Sequence, residues 1–135
     1  LYRFERMKSK QSTTRTLKRI VWALAEKAAA QGAERAVVEG RAIGAGVSLA
    51  KDLGNLPGNV CTPTYLAEEA RRLGKAWKLG VEILERKDME KLGMNTLLSV
   101  ARGSEQPPKF IIMRHDGAGK KSKPVVLVGK GITFD

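Results

Sequence analysis

Two uninterrupted apolar runs bound what the second half of this chain can fold into: Phe110–Met113 within KFIIMRH (109–115), and Val125–Val128 within VVLVG (125–129). Each has the length of a strand and is too short for a helix. Apolar runs without alternation suit strands covered on both faces. Between them lies DGAGKKSK (116–123), turn-rich and basic. VEILE (81–85) alternates in the manner of a third strand. Helical signals are interleaved with these runs. Thr62-Pro63 opens a helix, with a hydroxyl to cap free N–H groups and a proline at the first helical position. Its predicted buried face is Leu66, Ala70, Leu73 and Trp77, and Gly80 is its predicted stop. DMEKLG (88–93) reads as a short helix closed by Gly93, and TLLSVA (96–101) as a strand or an extended buried segment. Helix and strand thus alternate from Thr62 onward, which predicts an α/β sheet.

The first half reads differently. LKRIVWALA (17–25) is rich in strand formers at its centre and predicts a strand. A helix of roughly 34–53 follows, with Ala36, Gly40, Ile43, Val47 and Ala50 on one face. Gly40, Gly44 and Gly46 each cost about 1 kcal/mol against alanine in a helix. Three of them predict that another backbone packs close by. Gly54 and Pro57 form the stop. Trp22 and Trp77 read as core, and Met89, Met94 and Met113 as packing residues.

At 135 residues and 42% hydrophobic, the chain can bury a core of its own, and global disorder is not expected. No apolar run approaches the roughly 18 residues of a membrane helix, and the first residues carry charges without the apolar stretch of a secretory signal, so neither a signal there nor membrane association is expected. A single cysteine, Cys61, excludes an intrachain disulfide and fits a reducing cytoplasm. The first residue is Leu1 rather than methionine, which points to a truncated or processed start. The net charge of +11 is concentrated in two places. Residues 1–20 hold seven Lys/Arg against one acid, and residues 109–123 hold five against one. Such segments are solvated surfaces or an anion-binding patch, with DNA as a possible partner.

The strongest candidate for chemistry is VGKGITFD (128–135), since ligands of open α/β sheets collect beyond the carboxyl ends of strands. A phosphate loop fails on spacing. It needs glycine at 124 and Ser/Thr at 131, where this chain has Pro124 and Gly131. Metal binding remains, as does a plain surface pair of Lys130 and Asp135. A carboxylate is a common ligand for divalent ions, and a lysine amine can be one once deprotonated. Cys61 and His115 are the residue types of a nucleophile and its base, but a lone cysteine beside a helix cap and a lone histidine at a strand end need no catalytic account.

NLPGNVCTPTYLAEEAR, DMEKLGMNTLLSVARGSEQPPKFI and KPVVLVGKGITFD together resemble the leucyl aminopeptidases of peptidase family M17, and the likeness runs from YRFERMKSK onward. The resemblance implies an α/β chain in three parts. Residues 1–30 would be the tail of a small N-terminal α/β domain, 31–54 a linking helix, and 55–135 the start of a mixed-sheet catalytic domain. It implies a cytoplasmic homohexamer that uses two divalent metal ions, manganese or zinc, to release N-terminal residues such as leucine from peptides. Lys130 would match a lysine that ligates one metal, and Asp135 an aspartate that bridges both. The remaining ligands and the catalytic lysine and arginine would lie beyond Asp135. The chain would then be a fragment inactive by itself, with no catalytic residue of its own. The competing expectation is a basic, non-catalytic nucleic-acid-binding module.

Overall fold

The computed structural model describes residues 2–10, 17–26, 29–119 and 122–133. These form two compact units, Leu1–Leu56 and Pro57–Asp135. Helices and strands are mixed, with four helices and one small sheet among the described residues.

The first unit is dominated by α1, Ala30–Asn55, longer at both ends than its periodicity predicts. No residue of α1 is buried. The predicted close backbone is not found: a Cβ built at Gly40, Gly44 or Gly46 meets nothing within 4 Å. The helix ends at Leu56 in an extended conformation, its N–H donating to the Asp52 carbonyl. The predicted strand at 17–25 does not form. Residues 17–24 are irregular and exposed, and Trp22, predicted to be core, is 65% exposed. Strand-forming side chains do not make a strand without a ladder partner for the backbone.

Ahead of α1 the chain folds back on its C-terminal end. The Tyr2 hydroxyl donates to Asp52 Oδ1 at 2.6 Å, and Asn55 Nδ2 donates to the same hydroxyl at 3.3 Å. The Lys51 ammonium stands 5.3 Å from the centre of the Tyr2 ring, within cation–π range.

In the second unit, Pro57 accepts from the N–H groups of Val60 and Cys61, a turn that delivers the chain to α2, Pro63–Trp77. Thr62 caps it as predicted, its Oγ1 accepting from the Tyr65 N–H at 3.2 Å. The buried face is Ala67, Ala70 and Gly74, rotated by one residue from the predicted stripe except at Ala70. Leu66 and Leu73 flank it half-buried, and Trp77, 71% exposed, lies off it. Small residues line this face because strand β1, Gly80–Leu84, passes directly beneath. A Cβ on Gly74 would stand 2.5 Å from Val81 Cγ2. The helix stops two residues before Gly80, at Lys78, which takes the left-handed conformation.

β1 pairs antiparallel with β2, Phe110–Arg114, in a register from Gly80 opposite Arg114 to Leu84 opposite Phe110. This ribbon corrects the expectation for the apolar run at 109–115. It is a strand, but Ile112 and Met113 are exposed rather than covered on both faces. The connection between the strands carries two short helices, α3 (Arg86–Lys91) and α4 (Asn95–Ala101). Glu85 and Asp88 form a capping box at the start of α3. Glu85 also pairs with Lys109, whose side chain is only 11% exposed, next to the Leu84–Phe110 end of the ribbon. Gly93 ends this helical turn with φ +68°, a conformation that suits glycine. Met89, fully buried, and Leu98 anchor α3 and α4. TLLSVA is therefore helical, not extended. A six-residue segment with adjacent leucines fits both periods, and the Leu98 N–H bonded to the Met94 carbonyl closes the helical alternative.

The predicted strand at 125–129 is likewise absent among the described residues. Residues 124–131 run without a ladder, and Val125–Val128 are 72–92% exposed. Neither β1 nor β2 pairs with them.

Candidate metal centre

Of the two predicted metal ligands, Lys130 is described and Asp135 is not. Lys130 is exposed and follows the apolar run 125–128. Its neighbour Gly131 lies against the second unit's core helix, where a Cβ would meet Leu66 Cδ1 at 3.9 Å. The motif thus runs past the N-terminal part of α2, the helix that Thr62 and Pro63 start. No group of three or more His, Cys, Asp or Glu able to hold a metal occurs among the described residues.

An amine and a carboxylate are both donors that a divalent ion accepts, the amine once it has lost its proton. Their chemistry therefore suits a metal. Their number does not, since such ions take about four to six donors. Lys130 and Asp135 alone make no complete site.

The structure does not make a pair of Cys61 and His115. Cys61 is buried beside the cap of α2, and burial pushes its thiol above the ordinary value, favouring the unreactive protonated form. His115 is exposed just beyond β2. Parts of both basic segments, residues 11–16 and Lys120–Lys121, lie outside the described residues. A groove of about 270 Å³ crosses the ribbon, lined by Gly80, Val81, Glu82, Ile112 and Arg114, and it excludes Lys130. No described helix is long and apolar enough to cross a membrane.

Two features of the fold were missed in the sequence. Glu85 and Asp88 carry a legible capping signal, an acidic N-cap followed three residues later by a second acid. The contact of Tyr2 with Asp52 joins residues 50 positions apart and leaves no local signal.

A family model described as the cytosol aminopeptidase family, catalytic domain, matches residues 48–135. The chain is 56% identical over 137 residues to a probable cytosol aminopeptidase of Alkalilimnicola ehrlichii, covering 100% of this chain and 28% of the relative. It is 58% identical over 138 residues to one of Aromatoleum aromaticum, covering 99% of the chain and 27% of the relative. A third, from an Azoarcus species, is 68% identical over 102 residues, or 76% of the chain and 20% of the relative. The chain thus spans little more than a quarter of the length of the first two relatives. With identity this high and the matched span running through VGKGITFD, the chain belongs to the cytosol aminopeptidase family.

Proposed function

We propose that these 135 residues are part of a metal-dependent aminopeptidase that releases N-terminal residues, leucine among them, from peptides. The observation that carries this reading is the family match over residues 48–135, which takes in the whole VGKGITFD motif. Lys130 and Asp135 are then two of the ligands to a pair of divalent ions, manganese or zinc. The other donors would come from chain that the longer relatives have and these residues do not span. When bound, two such ions would polarise a peptide carbonyl and acidify a shared water. The residues present here hold and orient metal and contribute no acid, base or nucleophile of their own. A hexameric assembly in the cytoplasm belongs to the same reading.

The test compares two purified proteins, this 135-residue chain and a longer protein that carries it. With manganese or zinc added, the longer protein is expected to hydrolyse leucine amide and the 135-residue chain to be inert. Failure of the longer protein to act on any amino-acid amide under either metal would overturn the reading. So would genuine turnover by the short chain, which would mean that its own residues suffice.

A further inference from the structure

We propose that Tyr2 is a latch that fastens the segment ahead of α1 to the last turns of that helix, so that this segment and the helix end move as one piece. Three groups on one side of the helix converge on this side chain. Lys51 and Asn55 are four residues apart and so stack on one face, with Asp52 beside them. Each uses a different part of the tyrosine. Asp52 Oδ1 accepts a hydrogen bond from the hydroxyl at 2.6 Å, Asn55 donates to the hydroxyl oxygen at 3.3 Å, and Lys51 lies 5.3 Å from the ring centre. Only tyrosine can satisfy all three partners, because phenylalanine keeps the ring contact alone.

The contact is not a by-product of apolar packing, since no residue of α1 is buried. Nor is it local, because partners 50 residues apart must offset the entropy of closing the intervening loop. A hydrogen bond to a charged acceptor belongs to the stronger class. Desolvation first, and the bond to Asp52 after it, push the Tyr2 phenol above its ordinary value, as a donor held by a carboxylate requires. The family match begins at residue 48, so Lys51, Asp52 and Asn55 lie inside it and Tyr2 precedes it. The latch therefore sets how the preceding chain joins the start of the family region, a role independent of the metal reading.

The chain has only two tyrosines, so an aromatic NMR spectrum of the 135-residue chain contains two tyrosine ring systems, and Tyr2→Phe assigns them. The expected result is a nuclear Overhauser contact between the Tyr2 ring and the Lys51 side chain. Asp52→Ala is expected to erase it and to raise trypsin cleavage after Arg3 and Arg6 by about tenfold, since cleavage tracks the opened population. Asp52→Ala also removes an anion from the negative end of α1, which by itself favours the helix. Enhanced cleavage therefore reports the latch and not a melted helix, and circular dichroism of the variant checks that the helix persists. Tyr2 resonances at unfolded-peptide shifts with no contact to residues 51–55 would overturn the proposal. Equal cleavage of wild type and Asp52→Ala would do the same.

Discussion

At the scale of single residues, Gly74 carries the most information about how the second unit is packed. It is buried, and a Cβ there would stand 2.5 Å from a methyl of Val81. Val81 is β-branched and cannot swing that methyl away cheaply. Gly74→Ala therefore sets a helix-propensity gain of about 1 kcal/mol against an overpacking cost of about 1–3 kcal/mol. The expected net is a loss of roughly 1 kcal/mol in urea unfolding, relieved by a second change, Val81→Ala. If the single variant were as stable as wild type, helix and strand would not approach this closely. Cys61 offers a second test. Burial raises its thiol pKa, so the folded chain holds that proton more tightly than the unfolded chain does. This contribution is complete below the ordinary thiol value and is lost as pH rises through the folded one. Alkylation of Cys61 near neutral pH should be slow in the native protein and fast in denaturant, and stability should decline on the alkaline side. Its place beside the helix cap was readable in the sequence, but its burial was not and comes from the fold. Nothing in sequence distinguished Trp77, exposed, from the small residues that took the buried face, because what decided the face was a strand that lies beyond Lys78.

At the scale of elements, what was legible were those whose signals are local. The start of α2 needed only Thr62 and Pro63, and the end of α3 only Gly93. The two strands that pair, Gly80–Leu84 and Phe110–Arg114, were placed within a residue, since both apolar content and length agreed. Residues 17–25 and 125–129 carry the same kind of signal and form no strand, because a strand exists only when a second backbone supplies its hydrogen bonds. That information is not in the run itself. For α4, two adjacent leucines left the period undetermined, and packing of Leu98 settled it. The helical insertion between β1 and β2 depends on its caps. Asp88→Ala removes the carboxylate that accepts from the Glu85 N–H at 3.1 Å. A loss of about 0.5–2 kcal/mol is expected, seen as a lower urea midpoint and faster amide exchange in residues 86–93. Unchanged exchange there would mean that the capping box contributes nothing to α3.

At the scale of the whole molecule, charge, cysteine count and hydropathy narrowed the class, and three stretches of sequence, the last ending in VGKGITFD, carried the family. The candidate site was legible only as Lys130 and Asp135, two of the donors that the proposed metal site would need, because metal sites are assembled from distant parts of a chain and two residues five positions apart would show one corner. The prediction that belongs to this scale concerns the longer protein carrying this sequence. Lys130→Arg keeps a long cationic side chain but replaces an amine that can lose its proton with a guanidinium that cannot. If Lys130 is a metal ligand as proposed, this variant would set a positive charge where a lone pair is required. Asp135→Asn keeps the shape and removes a negative charge that, on the metal reading, would help hold the ions. Both variants should fold, since neither touches Ala67, Ala70, Met89 or Leu98, which are buried in the second unit. Each should lose metal and turnover beyond the roughly 10–100-fold typical of residues that merely orient a ligand. The measurement is bound metal per chain alongside leucine-amide hydrolysis, with circular dichroism to check the fold. If Lys130→Arg kept full metal occupancy and wild-type turnover, Lys130 would be a surface residue at the end of an apolar run, and the metal reading of VGKGITFD would fall with it.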